Sequence, residues 1–458
     1  MAEAHDPAAV RRRLEALDAR HLWIVYHDYA GLGRGKAVAR ERIEDVAAHG
    51  VTFAKANWDF AITDHYVPQP GFGPDAGDFR VIPDPAAIVP VPYREGVALA
   101  FGWLADDLGA PWPGDPRARL RDQVAALAAG GLTAQVAFEA EFVLFGSGPD
   151  GRWVPADRGR MFTVDEIEAR WAWCATVLAA LQAMGVAVHQ LAKEYGPAQY
   201  EISLLPTDPV AAVDRFLVAR QVIKALARDE GLVASFMPKP YAELPGNGLH
   251  VHLSLGDAEG RDALADPTDE SGLSPAAAAA IGGLLDHAAA QAALGSPTPN
   301  SYKRLLPGTW APAHVCWAFG NRAALVRVPG RGPARHLEYR SGDASCNPYL
   351  HVAGLLAGIR DGLDRKVPLP PSADLDVGHL TDAEAAVRGF VRLPDRPATA
   401  LDALAGDAVL QAALGPLIAE HYLVVKRFEL DSYLAESGAS PDTTSVTDWE
   451  RATYLEHL

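Results

Sequence analysis

The sequence predicts an α+β fold in two parts. Three observations carry this: a β-β-α-β succession near the N-terminus, a Pro/Gly/Asp-rich break near residue 110, and a longer remainder in which strands alternate with clear helices. Residues 6–20 read as a short capped helix. Residues 22–26 are β-rich, and Gly31, Gly33 and Gly35 mark a turn before a second β-rich run at 36–39. A helix over about 40–49 then leads to a strand starting at Val51. The glycine cluster weakly resembles a phosphate loop, but no Gly-Lys-Ser/Thr follows, and a hairpin turn is the simpler reading.

The stretch GAPWPGDPRARL separates a small domain, residues 1–110, from a large one, residues 111–458. In the large part, strands are expected at 135–145 and 249–255. The best helix spans 208–230: Asp208 supplies the N-cap, Pro209 the first turn, and Gly231 the stop. Val213, Phe216, Leu217, Ile223 and Leu226 form its apolar stripe. The Ala-rich run 275–294 reads as one helix. Residues 367–372, VPLPPS, read as an exposed connection before a helical C-terminal section. No internal repeat is evident.

Composition narrows the function. The chain has 458 residues, 49% hydrophobic and 22% charged, which accommodates two or more domains with a large core. Its 41 Lys+Arg against 58 Asp+Glu give a net charge of -17 without a basic run, so nucleic acid is not the expected partner. Cys174, Cys316 and Cys346 lack CxxC spacing, which fits a reducing cytoplasm better than a disulfide framework. The N-terminus lacks the apolar core of a secretory signal. No uncharged apolar run reaches the roughly 20 residues of a membrane span.

Several β-rich runs carry charged or imidazole side chains two residues apart, hence on one face. They are Glu139 and Glu141 in FEAEFVLF, His250 and His252 in GLHVHLSL, Glu338 and Arg340 in LEYR, and Gln199, Glu201 and Ser203 after the Gly196-Pro197 turn that follows Glu194. A single pair of this kind is ordinarily the solvent face of a strand. Together, inside apolar strands, they describe a hard-cation site suited to Mg²⁺ or Mn²⁺. Arg304, Arg322, Arg327, Arg335 and Arg340 cluster in the same third of the chain. Metal ions and convergent guanidinium groups are what phosphoryl transfer needs, and no Walker loop is present. Residues 300–312, NSYKRLLPGTWAP, place Lys303 and Arg304 before a Pro307-Gly308 turn, as in loops that cover anion sites and exclude water.

In this order, FEAEFVLF, EYGPAQYEI, FMPKPYAELPGNGLHVHLSL, NSYKRLLPG, NRAALVRV, ARHLEYRSGDASCNPYL and YLVVKRFELDSY resemble the glutamine synthetase family. The resemblance implies a small N-terminal β-grasp domain and a catalytic domain whose antiparallel half-barrel sheet is surrounded by helices. It implies two or more Mg²⁺ or Mn²⁺ ions per site, with ATP as co-substrate. Glu141, Glu194 and Glu201 would hold one ion near the amino acid; Glu139, His250 and Glu338 would hold another on the phosphates. Arg304, Arg340 and Gly246 would bind glutamate, beside Glu141 and Glu194. Arg322 and Arg327 would face the transferring phosphoryl group, and Arg335 and His336 would complete the ATP site. By the same resemblance His252 is a support, and the chain forms a dodecamer of two hexameric rings with sites between subunits.

The chain departs from ammonia-using members at two points. Their flap Glu is Trp310 here, and their DGSS-type stretch is replaced by FAKANWDFAITD, where Asn57 or Asp59 would lie nearest. An indole cannot accept a proton but can pack on an amine. The expected activity is therefore ATP-dependent coupling of glutamate, or a close analogue, to an amine larger than ammonia, with Trp310 among the catalytic group. Ordinary glutamine synthesis and a catalytically inactive member of the fold are the alternatives. Two smaller departures are Pro245 and Asn247 before His250, and Ala198 where a Gly is usual.

Overall fold

The computed structural model describes residues 6–67, 71–330, 335–441 and 443–458. The first helix, Pro7–Ala16, starts where Asp6 accepts from the Ala8 and Ala9 amides. Five strands follow: β1 His21–His27, β2 Gly33–Ala39, β3 Val51–Ala54, β4 Asp78–Pro90 and β5 Val97–Ala105. They pair in the order β2-β1-β5-β4-β3. The β1–β5 pair is parallel and the others are antiparallel, the β-grasp arrangement. Leu22, Ile24 and Tyr26 turn inward from β1, and the Tyr26 ring meets Phe53, Trp58 and Phe79.

The hairpin turn is shorter than the glycine cluster implied. Only Gly31 has a turn conformation, with φ +68°, while Gly33 and Gly35 lie within β2. Close approach explains the glycine at 35: a Cβ there would sit 2.7 Å from the Ile24 carbonyl.

The larger sheet uses β6 Thr133–Ser147, β7 Trp153–Pro155, β8 Val188–Lys193, β9 Gln199–Leu204, β10 Val233–Ser235 and β11 Leu249–Gly256. It is completed by β13 Trp317–Phe319, β14 Val326–Val328 and β15 Leu337–Tyr339, after a two-residue strand β12 His314–Val315 that pairs elsewhere. The order is β13-β14-β15-β11-β6-β9-β8, with β7 and β10 also on β6. Every pairing is antiparallel, as expected of this sheet, except the short parallel pair β13–β14. Helices cover one face of this sheet. Among them, Pro209–Asp229 is capped by Asp208 and buries the predicted stripe of Val213, Phe216, Leu217, Ile223 and Leu226.

The Ala-rich run forms two helices, Pro275–Asp286 and Ala288–Gly295, not one. The break falls at His287, whose ring is held between Asp407 at 2.6 Å and Asp361 at 3.0 Å. Fixing that ring on two other helices overrides the helix propensity of the alanines. Polar contacts tie loops of the N-terminal part to helices of the larger part: Asn347 Nδ2 donates to the Asp28 carbonyl at 2.8 Å, and the Ile62 amide to Glu429 at 2.7 Å.

Burial alone would lower the His287 pKa, but its hydrogen bonds to Asp407 and Asp361 raise it above the ordinary value. A raised histidine pKa stabilises the fold fully below the ordinary value and ceases to do so as pH rises through the folded value. The denaturant midpoint is expected to fall from about pH 6 to about pH 8.5, and His287→Gln should flatten that fall. Equal pH dependence in both proteins would contradict it.

Candidate active site

The register of the large sheet decides which side chains meet. Glu139 of β6 lies opposite His250 of β11 and Ser203 of β9, and Glu141 lies opposite Glu201. His252 lies opposite Glu338 of β15, which in turn lies opposite Arg327 of β14. Cross-strand partners share a face, so these residues form one polar surface across five strands. Glu194 joins them from the turn between β8 and β9. Lys193 fixes that turn from below, donating to the Glu194 and Gly196 carbonyls. Ala198 in the same turn has φ +48°, a left-handed conformation that explains why glycine is usual there. It is held by its amide, which donates to Asp157 at 2.7 Å.

The carboxylates divide into two electrostatic groups. Glu338 is fully buried, yet Arg340 first, and also His250 and Arg327, keep it ionised with a pKa near about 2. Arg327 Nη1 reaches it at 2.7 Å, and Arg340 Nη1 forms a second ion pair. Glu139 is likewise pulled well below the ordinary range, against burial, by the His250 Nδ1 contact at 2.7 Å. Glu201 and Glu194 behave oppositely. Burial, then Glu139 and Glu141, pushes Glu201 up to about 9; burial, then Glu141, pushes Glu194 up to about 7.

Like charges packed this closely must either retain protons or be offset by a cation. Carboxylate oxygens with an imidazole nitrogen among them fit Mg²⁺ or Mn²⁺. Three donor atoms, from Glu139, His252 and Glu338, lie within 4.8 Å of one another. His252 is thus nearer the centre than its expected supporting place. Burial lowers its pKa to about 4, so the ring is neutral and offers a lone pair. Its Nδ1 lies 2.9 Å from His336 Nε2. His250 faces the same two carboxylates, at 2.7 Å from Glu139 and 3.6 Å from Glu338.

The flap region follows the helix Ser301–Arg304. Arg304 is buried and donates to the Ser341 and Arg340 carbonyls at 2.9 and 3.0 Å. It lies so close to the loop before His250 that a Cβ on Gly248 would be 2.7 Å from its Nη2, and one on Gly246 would be 2.8 Å from its Cγ. Asn247, between them, turns inward to the Met237 carbonyl and Gln199. Lys303 was expected to serve an anion site with Arg304. It is instead buried against Glu450 at 2.6 Å and against Tyr433, anchoring the flap root. Thr309 folds the tip by donating back to the Arg304 and Leu306 carbonyls. Trp310 is 70% exposed with φ +61°.

Two family models divide the chain between them. Residues 113–454 match the glutamine synthetase catalytic domain, and residues 9–112 match the glutamine synthetase N-terminal domain. The chain belongs to the glutamine synthetase family. It is 36% identical over 392 residues to a glutamine synthetase of Methanocaldococcus jannaschii, 84% of each chain. It is 33% identical over 451 residues to one of Thermococcus kodakarensis, 97% of each. A solved structure described as a novel glutamine synthase homolog superposes with TM-score 0.82 at 31% identity, covering 95% of this chain and 99% of that one. A GmaS/ADP complex gives 0.83 at 31% identity, covering 98% and 99%.

On this glutamine synthetase fold the remaining predicted positions are also placed. Arg322 is exposed and near enough to Glu194 to counter the rise in its pKa. Arg335 is buried with its Nε unpaired, and lies against Gly272. Sequence reasoning passed over Lys193 and Asp157, which shape the Glu194 turn. Lys193 adjoins Glu194 in the sequence, so its role was within reach; Asp157 gives no local signal. Asp59 is fully buried, bonded to His421 Nδ1 at 2.6 Å and to the Phe72 amide.

Two measurements probe this arrangement. Mg²⁺ or Mn²⁺ binding, followed by calorimetry in buffers of different ionisation enthalpy, should strengthen from about pH 6 to about pH 8.5 and release protons, because a bound cation displaces those that Glu201 and Glu194 retain. Binding that is independent of pH would refute it. Glu338→Gln leaves Arg327 and Arg340 facing a neutral group and should cost about 3–5 kcal/mol in denaturant unfolding.

Proposed function

We propose that this chain is an ATP-dependent glutamate–amine ligase that couples the γ-carboxylate of glutamate, or a close analogue, to an amine larger than ammonia. The observation that carries the reading is on the acceptor side. The flap presents an indole, Trp310, that is 70% exposed, and Asp59 is fully buried against His421. Likeness to GmaS, a gamma-glutamylmethylamide synthetase, supports amine use.

In this reading residues 1–110 form the β-grasp domain and 111–458 the catalytic domain. Glu139, Glu141, Glu194, Glu201, His250 and Glu338 would hold divalent ions, which when bound would neutralise charge on the phosphates and on glutamate. Arg304, Arg340 and the Gly246 backbone orient the amino acid, while Arg335 and His336 border the nucleotide. A glutamate γ-oxygen attacks the γ-phosphorus of ATP, the bond to ADP breaks, and Arg322 and Arg327 offset charge on the transferring oxygens. The amine then attacks the acyl carbon, phosphate leaves, and the nitrogen gives up a proton. The acyl phosphate is labile in water, so the flap's task is to exclude it. Assembly as a dodecamer of two hexameric rings, with the N-terminal domain of one subunit completing the site of the next, belongs to the same reading.

The curated relatives are named glutamine synthetase, which favours ammonia as the competing acceptor. Phosphate release with glutamate, ATP, Mg²⁺ and a panel of amines separates the two. Alkylamines or diamines are expected to exceed ammonium in kcat/KM, and best turnover with ammonium would sink the specificity claim. Trp310→Ala should raise the amine KM by about 2- to 30-fold, the worth of a cation–π contact, with little change in the KM for ATP. Trp310→Glu should shift preference toward ammonium.

A further inference from the structure

A second cavity, of about 650 Å³, lies between strands β1 and β2 and the helix Pro209–Asp229. Its wall carries Arg34, Lys36, Arg94, Arg220, Lys224 and Arg228, and no Asp or Glu side chain among the described residues. In a chain of net charge -17 this concentration of cations is not a sample of the general surface.

Three of the six sit on one helix stripe. Arg220, Lys224 and Arg228 are spaced i, i+4, i+8, where like charges destabilise a helix unless something neutralises them. The protein supplies only part of the counter-charge, and none of it from an Asp or Glu side chain in the cavity wall. Arg220 is buried and donates to the Ala344 carbonyl at 3.0 Å and to the Gly31 carbonyl. Lys224 donates to the main-chain oxygens of Glu456, His457 and Leu458, and Lys36 to that of Thr52. None of these bonds involves an Asp or Glu side chain. Arg34 and Arg94, by contrast, are paired from behind with Asp28 and Asp229. His27, 7% exposed, also lines the cavity and has a buried Nδ1 without a hydrogen-bond partner. Burial first, then Arg220 and Arg228, lowers the Lys224 pKa to about 7, against a smaller opposing pull from Glu456.

We propose that this cavity binds a small anion carrying two or more oxyanion groups, separate from the catalytic face of the large sheet. The spread of cations on both walls suits a ligand with charge at each end, such as a di- or tricarboxylate or a compact polyphosphate. Because Arg220 also holds the loop that follows Arg340, the ligand would rest against a support of the active site.

The test is calorimetric titration of the full chain, saturated with ADP and Mg²⁺, with citrate and separately with pyrophosphate. At least one is expected to bind with a Kd below about 1 mM, and the stronger arm identifies the carboxylate or phosphate class. The double variant Lys224→Gln/Arg228→Gln should weaken binding at least about 10-fold and reduce its salt dependence. Arg228 is exposed. Arg228→Gln alone therefore serves as a variant whose folding is secure, and should weaken binding about 3-fold. Absence of binding by either anion, or equal binding by wild type and double variant, would overturn the proposal. So would a changed assembly size by light scattering with anion binding intact, since the cavity would then seat another copy of the chain.

Discussion

Crowding of negative charge on one face of the large sheet is the constraint to which the rest of the site answers. Glu139, Glu141 and Glu201 are brought together by strand register alone, and Glu194 is delivered by a turn. The protein settles one side internally, by burying Glu338 between two arginines. It leaves the other side unsettled, with carboxylates that retain protons near neutrality. A fold that maximised its own stability would not keep both arrangements a few ångströms apart. Their coexistence is what makes the surface receptive to cations and phosphates.

Much of this was legible in the sequence because strand periodicity converts spacing into geometry. Residues two apart share a face, so Glu139/Glu141, His250/His252 and Glu338/Arg340 could be assigned together before any fold was known. Caps and turn residues likewise located the helix Pro209–Asp229 to within a residue or two. The misreadings have a common physical cause: tertiary contacts that local signals do not carry. His287 breaks an alanine run because two distant aspartates hold its ring. Lys303 looks like an anion ligand until Glu450, far along the chain, is seen to bury it. Asp59 stands in FAKANWDFAITD without any local sign of its partners, and only the fold shows it packed against His421 and Phe72. The nine-stranded order, with its parallel β13–β14 pair, is also beyond a reading that compares residues only with near neighbours.

Backbone strain adds a second layer to the site. Ala198 and Trp310 both occupy left-handed conformations that side chains other than glycine adopt at a cost of order 1 kcal/mol. One lies in the turn that carries Glu194 and the other at the flap tip. Each is overdetermined locally: the Ala198 amide is tied to Asp157, and the turn before Trp310 is closed by Thr309. Such positions persist because neighbouring bonds hold them, and they set the direction of the side chains beside them.

The flap also separates what is held from what is displayed. Its root is bolted to the body of the protein by Lys303 and Glu450, while its tip turns outward on hydrogen bonds of its own. A residue at such a tip can be exchanged without disturbing the buried ion pair or the arginines behind it. Within one scaffold, therefore, the tip is open to single substitutions that leave the charge balance on the sheet untouched.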